Sequence, residues 1–179
     1  MTPASLTASS LDEETARAEI YGLLAALYYT APSAELYENL RVAVTAAPAE
    51  GALLEGPWGV LVAAARAQSL EAVIREHDAL FGGVGKPEVY LFGSHYLSGF
   101  LNEKPLATLR SDIAALGLAR DEAMPETEDH VAYLCEVMRY LIAGDDVAVA
   151  NLTRQREFFA ERCHRLVGRK ARAVGRDLD

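Results

Sequence analysis

Apolar residues recur three and four positions apart along most of the chain, and polar residues fill the positions between them. This spacing places the apolar side chains on one face of an α-helix. The apolar stretches are separated by Gly, Pro or polar breakers, and none shows the strict alternation that is typical of a half-buried strand. The pattern therefore predicts an all-α protein, a single-domain helical bundle of about six to seven helices.

Capping residues indicate where the predicted helices begin and end. Ser, Thr, Asp and Asn are favoured at the first position because their side chains accept hydrogen bonds from unpaired amides. The predicted N-caps are Ser10 (in a capping box with Glu13), Ser33, Ser69, either Thr127 or Asp129, and Asp145. Gly117 is the predicted stop of one helix. Residues 1–9 are predicted to be a disordered tip, and residues 10–179 a single domain.

One connection differs from the helical stretches around it. Leu80 and Phe81 end an apolar stripe, and a segment rich in Gly and containing Pro87 follows. An aromatic segment comes next, with Tyr90, Phe92, Ser94 and Tyr96 as its notable members. A long connection that carries aromatic residues and glycines is more often functional than a short one. The alternative is a well-packed loop whose aromatic side chains fill the core, and the sequence leaves both interpretations open.

Charge is unevenly distributed. The net charge is −9: residues 1–153 contain nine Lys or Arg and 22 Asp or Glu, whereas residues 154–179 contain eight and four. An acidic body repels nucleic acid and suits a cationic partner. Apolar runs of membrane-spanning length are missing, the first ten residues lack the features of a secretory signal, and two cysteines make no disulfide framework. We therefore expect a cytoplasmic protein that binds no nucleic acid and has no stable membrane association.

Residues that could carry catalysis are few. His77-Asp78 and Asp129-His130 are two His–Asp pairs, and a helical metal-dependent hydrolase using these four residues is one alternative function. No histidine precedes His77, and the chain has neither a GxSxG elbow nor a phosphate-binding loop. We predict no catalytic residue, no metal and no cofactor. A second alternative is an adaptor whose basic last helix docks an acidic partner through Arg165, Arg169 and Lys170.

Three segments carry a recognisable pattern: Tyr21 to Tyr28 on the first helix, Leu80 to Leu106 with its Gly/Pro loop and aromatic segment, and Glu126 to His130 before the long penultimate helix. Together they resemble the TorD/DmsD/NarJ family of cytoplasmic chaperones for molybdenum-containing redox enzymes. The last segment is similar to an E-P-x-D-H motif of the family, with Thr127 in place of the proline. Gln155, Phe158 and Phe159 with Cys163-His164 are similar to the last-helix pattern of that family.

This resemblance implies a TorD-like helical fold without catalysis. It also implies binding of the twin-arginine signal peptide of a molybdoenzyme catalytic subunit, whose apoprotein is held until its cofactor is inserted. Members whose client lacks an export signal bind the N-terminus of the client instead, and monomers or domain-swapped dimers are both compatible with the family. Ten residues are expected to bind the peptide. The apolar groove is lined by Tyr21, Leu80, Phe81, Tyr90, Phe92 and Tyr96. The arginines meet Glu126 and Asp129, and the site is completed by Ser94 and His130.

Overall fold

The computed structural model describes residues 8–45, 54–82, 86–98, 104–146 and 148–163. Within these ranges the chain forms eight α-helices and a π-helical turn, Phe159–Cys163. The α-helices are α1 (Ala8–Tyr29), α2 (Ala34–Val42), α3 (Glu55–Ala67), α4 (Leu70–Phe81), α5 (Gly93–Ser98), α6 (Lys104–Ala115), α7 (Val131–Ala143) and α8 (Leu152–Phe158). Across the same residues the only extended pairing is an isolated antiparallel bridge between Phe92 and His130. The all-α prediction is confirmed.

Several helix ends lie where the capping residues predict them. The Ser33 hydroxyl accepts from the Leu36 amide (3.1 Å) at the start of α2. The Ser69 hydroxyl accepts from the Ala72 amide (3.2 Å) at the start of α4. Gly117, just after α6, has a φ of +74°, a left-handed conformation that glycine adopts without steric cost. Local side-chain chemistry therefore sets these boundaries.

Other predicted boundaries were wrong. Helix α1 starts at Ala8, before the predicted cap Ser10, so the last two residues of the expected tip are helical; residues 1–7 of that tip lie outside the described ranges. Helix α8 starts at Leu152, where the Asn151 side chain accepts from the Arg154 amide (3.1 Å). Asp145 is therefore not the cap of the last helix, and the chain turns before Asn151 because Asp146 accepts from the Ala148 amide (2.9 Å).

The apolar face expected for the last helix was also wrong in part. The sequence spacing predicts one apolar face made of Val149, Leu152, Phe159, Cys163 and Leu166, the last of which lies outside the described ranges. Of these residues, Leu152 is 55% exposed and Phe159 is 42% exposed. The buried residues of this segment are Gln155, Phe158 and Cys163. The π-helical turn follows Phe158 and has backbone hydrogen bonds that span about five residues, so Cys163 lies on the same buried side as Gln155 and Phe158.

The described residues divide into two compact units. Unit 1 consists of residues 1–29 and 90–179 and has its main helix pairing between α1 and α7. Its largest core cluster joins α6, α7 and the last helical segment through Leu109, Ile113, Leu116, Leu134, Val137, Met138, Leu141, Phe158 and Cys163. Buried Gln155 donates to the carbonyl oxygen of Leu141 and accepts from Arg17, both at 3.1 Å. One side chain thus satisfies a carbonyl at the end of α7 and contacts α1.

Unit 2 consists of residues 30–89, and α2 packs against α3 in it. The buried Tyr37 hydroxyl donates to the carbonyl oxygen of Ala65 (2.8 Å). The Arg66 guanidinium donates to the carbonyls of Arg41 and Ala43, both at 2.9 Å, which ties the end of α2 to α3. Helix α4 belongs to this unit and has no buried residue. The prediction that residues 10–179 form a single domain stays a prediction.

Candidate functional site

The aromatic segment is held against the turn that precedes α7. Two backbone hydrogen bonds join them: Gly93 N to Asp129 O (2.9 Å) and Val131 N to Leu91 O (2.8 Å). The bridge pair Phe92 and His130 lies between these two bonds. Bonds on both sides of one residue pair fix the register of both segments. The sequence predicted a loop here, but its second half folds into α5, which is one reason that the helix count exceeds the prediction.

Asp129 lies at the centre of this junction and is 3% exposed. Its carboxylate accepts from the Ser94 amide (2.8 Å), near the start of α5, and from the Thr127 hydroxyl (2.6 Å). A buried carboxylate is tolerated when such hydrogen bonds replace its hydration. Asp129 therefore positions α5 against the turn before α7. Contact between Asp129 and a bound peptide stays a prediction.

His130 is the N-cap of α7, a position that the sequence assigned to Thr127 or Asp129. Its Nδ1 accepts from the Ala132 amide at 3.2 Å, and the residue is buried. A nitrogen that accepts a hydrogen bond carries no proton, so the proton of neutral His130 is on Nε2. An imidazole can serve as a cap, but it is outside the usual set of capping residues, which is why the sequence pattern pointed elsewhere.

Three aromatic rings surround His130. The edge-on contact between His130 and Phe92 has a centroid distance of 5.0 Å, and Tyr29 and Tyr133 each lie 6.2 Å from the imidazole. Tyr29 and Tyr133 are 6.4 Å apart, and Tyr29 is 38% exposed. We call Tyr29, Phe92, His130 and Tyr133 the aromatic platform. Edge-on pairs at these distances are a favoured geometry for aromatic contacts, so the rings support one another.

Tyr29 and Tyr133 were missed by the sequence analysis. Tyr29 is the last residue of α1, and Thr30-Ala31-Pro32 follows it; Tyr133 lies in the first turn of α7. Neither belongs to the apolar stripe of its helix, so neither drew attention as a core residue. An aromatic side chain off the apolar stripe at a helix end was the available signal, because such a residue is exposed unless another segment covers it.

A second ring group lies within the aromatic segment itself. Tyr90 and His95 stack with centroids 3.7 Å apart, and His95 meets Tyr96 edge-on at 5.2 Å. Tyr96 also packs against the core cluster of unit 1. Burial raises the pKa of Tyr96 above its ordinary value, so the ring is neutral across the physiological range. Three predicted site residues of this segment, Tyr90, Phe92 and Tyr96, are therefore fixed by ring contacts.

Carboxylates lie beside the platform. Burial raises the pKa of the Tyr133 hydroxyl, and the charges of Tyr29, Glu126 and Asp121 raise it further, while Arg120 lowers it. The Glu126 and Met124 carbonyls accept from the same nitrogen of Arg120, and the Met124 sulfur lies 3.8 Å from the Tyr29 hydroxyl, so the Glu126 backbone is near the platform. The predicted residue Glu126 is half-buried. The site therefore combines aromatic surface with acidic groups, which is the combination that binds a guanidinium ion.

The remaining predicted residues make other contacts, each within its own unit. Tyr21 packs against the core between α1 and α7, and burial raises its pKa, as do the nearby Cys163 and Cys135. Leu80 and Phe81 belong to unit 2 and are half-buried. The Phe81 ring meets His77 edge-on at 5.0 Å, and the carbonyl oxygen of Leu80 accepts from the Val89 amide (2.9 Å). A role in peptide binding stays a prediction for all three.

The structure describes the residues of the hydrolase alternative but not those of the adaptor alternative. Among the residues that the structure describes, no three His, Cys, Asp or Glu side chains form a group that could hold a metal ion. Of the proposed hydrolase residues, Asp129 uses its two carboxylate oxygens to hold Ser94 and Thr127, and His130 uses its Nδ1 to cap α7. The adaptor alternative rests on Arg165, Arg169 and Lys170, which lie outside the described ranges.

Comparison with known proteins gives one family. The family model described as "Nitrate reductase delta subunit" matches residues 47–169, which is about two thirds of the chain and includes the junction, the turn before α7 and most of the platform. The chain belongs to this family. The resemblance found in the sequence is thereby confirmed, since this is the NarJ/TorD-type chaperone family. A search of curated proteins finds no match.

Membership in the nitrate reductase delta subunit family sets the general function. The family consists of maturation chaperones that act on nitrate reductase-type molybdoenzyme subunits, and it is not a catalytic family. Among the helices described, none is both long and apolar enough to cross a membrane.

Proposed function

We propose that this protein is a cytoplasmic chaperone that binds the twin-arginine signal peptide of a molybdoenzyme catalytic subunit and performs no catalysis itself. It holds the apoprotein until the molybdenum cofactor is inserted, before export or assembly. The observation that carries this proposal is the aromatic platform with acidic groups beside it, in a chain of the nitrate reductase delta subunit family. The acidic composition of residues 1–153 supports it, because a twin-arginine leader is basic.

Unit 1 contains groups that are complementary to the arginines and to the apolar part of the leader. A guanidinium plane can stack on the ring of Tyr29, which is 38% exposed, or on that of Tyr133, and a carboxylate such as Glu126 can accept its N–H groups as a pair. The apolar part of the leader then lies along half-buried aromatic residues such as Phe92. Asp129 and His130 keep this surface in one geometry, because they anchor α5 and α7.

Calorimetric titration of the full-length protein with synthetic leader peptides tests the proposal. A leader with two consecutive arginines should bind, and the same leader with both arginines replaced by lysine should bind at least about tenfold more weakly, because lysine makes no paired hydrogen bonds. Equal affinity for both peptides, or binding of neither, contradicts the proposal.

A matched pair of variants locates the site. Tyr29 is 38% exposed on the platform, and Phe159 is 42% exposed in the π-helical turn of the same unit. We expect Tyr29→Ala to weaken leader binding by about fivefold to tenfold, from loss of a ring contact with the guanidinium. Phe159→Ala, which removes similar exposed aromatic surface elsewhere, should leave the affinity unchanged. Equal loss in both variants would remove the platform from the binding site.

A second client class is favoured by the family description itself. Nitrate reductase-type catalytic subunits are clients of this family, and the resemblance includes members whose client has no export signal. In that case the ligand is the N-terminal segment of the client, without consecutive arginines. Titration with such an N-terminal peptide beside the twin-arginine leader separates the two, since the tighter ligand identifies the client class.

A further inference from the structure

Arg120 is bound by oxygen atoms of the segment that leads into α7. One terminal nitrogen of its guanidinium donates to the carbonyl oxygen of Met124 and to that of Glu126 (3.2 Å). The Arg120 Nε lies 3.8 Å from a carboxylate oxygen of Glu128. A guanidinium has five N–H donors and no acceptor, so two carbonyls and a carboxylate together form a site of the right polarity and geometry for it. We call the two carbonyls and the Glu128 carboxylate the arginine site.

Glu128 is shared between two arginines. Its side chain is only 14% exposed, and Arg110, from α6, donates to its second oxygen at 2.9 Å. The 3.8 Å approach of Arg120 is longer than a hydrogen bond. Two guanidinium groups share the single negative charge of Glu128, so these three side chains together carry one excess positive charge. The Arg120 contact with Glu128 is therefore the weaker of the two, and Arg120, at 32% side-chain exposure, can be hydrated when it leaves.

The arginine site borders the aromatic platform. The Tyr29 hydroxyl lies 3.8 Å from the sulfur of Met124, whose carbonyl is part of the arginine site. Glu128 and Asp129 are consecutive, and His130 follows them as the cap of α7. A peptide that lies across the platform rings therefore runs past the group that holds Arg120.

We propose that the Met124 and Glu126 carbonyls and the Glu128 carboxylate form the site for one arginine of the leader, and that Arg120 occupies it until the leader replaces it. This inference rests on the proposed function and adds the residues that read the arginine. Replacement exchanges one guanidinium for another, so the Met124 and Glu126 carbonyls and the Glu128 oxygen nearest Arg120 have a donor before and after the exchange. The energy gained on binding then comes from the platform contacts, while the exchange supplies the preference for arginine over lysine.

Chemical rescue tests the arginine site without any peptide. Arg120→Ala leaves the site empty and should lower the midpoint of thermal unfolding. Guanidinium chloride at millimolar concentration, far below denaturing levels, should restore part of that loss, whereas sodium chloride at equal ionic strength should not. The unaltered protein should show no such stabilisation. Arg110→Ala is the matched control, because it also removes one of the two arginines on Glu128 yet leaves Arg120 in the site, so guanidinium should rescue it less. Absence of rescue in Arg120→Ala overturns the arginine site.

Leader titration tests the exchange. We expect Arg120→Ala to bind the twin-arginine leader roughly tenfold more tightly than the unaltered protein, because no internal arginine competes for the charge-assisted hydrogen bonds. The lysine-substituted leader should gain much less, and Glu128→Gln should lose affinity for the arginine leader. Arg120→Gln gives a second test if the alanine variant does not fold. Unchanged or weaker binding by folded Arg120 variants overturns the exchange.

The two failures are distinguishable. If the unaltered protein binds no leader of any kind, the proposed function fails and the exchange fails with it, while guanidinium rescue still judges the arginine site by itself. If the unaltered protein binds the arginine leader but the Arg120 variants gain nothing, only the exchange is wrong.

Discussion

Helices α4 and α7 have nearly the same length, 12 and 13 residues, and comparable apolar periodicity. Helix α7 buries six residues: Ala132, Leu134, Cys135, Val137, Met138 and Leu141. Helix α4 buries none, and its apolar stripe is at most half-buried. The periodicity predicted both as helices and gave no indication that one would be central to a core and the other would not.

The difference arises from what surrounds each helix within its own unit. Helix α7 pairs with α1, contacts α8 and the π-helical turn, and is tied to the aromatic segment at its N-terminus. In unit 2 the pairing runs between α2 and α3. A hydrophobic stripe indicates which face of a helix is buried. The extent of that burial depends on tertiary neighbours that lie far away in the sequence.

The largest expected effect is on the core of α7. Leu141 is 0% exposed, so Leu141→Ala should cost about 2–5 kcal/mol of unfolding free energy through lost burial and the cavity left behind. Leu80→Ala, the same substitution on half-buried α4, should cost about half as much. Denaturant unfolding followed by circular dichroism measures both values. Equal costs would show that α4 is as well packed as α7.

The only tryptophan, Trp58, lies in α3 of unit 2 and provides a local measurement. Its indole N–H donates to the carbonyl oxygen of Val44 (2.8 Å), so its fluorescence reports the packing of that unit. In Leu141→Ala, circular dichroism should show a greater loss of stability than Trp58 fluorescence if the two units unfold separately. Coincident transitions would show that the units unfold as one.

The next effect concerns the anchor of α5. Asp129→Ala leaves the Ser94 amide and the Thr127 hydroxyl without their buried acceptor, so we expect a loss of about 1–3 kcal/mol. Asp129→Asn is the matched control, because its amide oxygen still accepts one bond, and it should cost less. Leader titration of the asparagine variant then tests contact with the peptide, since a direct pair with arginine needs the charge. Unchanged affinity would leave Asp129 with a positioning role alone.

Alkaline pH should weaken unit 1. Burial, and to a lesser degree Cys135, raises the pKa of the Cys163 thiol from 9.0 to about 12. Between these values the unfolded chain has released the proton and the folded chain has kept it, so stability is full below about pH 9 and falls as pH rises, by about 1 kcal/mol per pH unit. Cys163→Ala should flatten this dependence in denaturant titrations at pH 8 to 10.5. An unchanged slope contradicts the assignment.

The smallest effect belongs to α4. Ser69→Ala removes the side-chain acceptor of the Ala72 amide and should cost about 0.5–1 kcal/mol, measured by Trp58 fluorescence. Ser33→Ala removes the equivalent cap of α2 and is the control within the same unit. A much larger loss in Ser69→Ala would indicate that α4 contributes more to unit 2 than its exposure suggests.

Local features were predictable from the sequence, and long-range ones were not. Ser33, Ser69 and Gly117 act through bonds or angles within four residues, so their positions define the helix ends. The bond from the Ser94 amide to Asp129 joins two segments that are far apart in the chain, and no local pattern reveals it. The family resemblance did bring Phe92, Ser94, Asp129 and His130 together in one list, but it could not show that Asp129 and His130 have structural bonds to make.

Both cysteines of the chain, Cys135 and Cys163, are buried in unit 1. A small alkylating reagent can reach a buried sulfur only while the surrounding helices are apart. When the helices close quickly, the rate of labelling in native buffer equals the fraction of time that they are apart multiplied by the intrinsic labelling rate of the thiol. The labelling rate of the two native cysteines therefore measures how much of the time the helices of unit 1 are apart. A client peptide that holds unit 1 closed would be visible as slower labelling, without any dye or engineered residue.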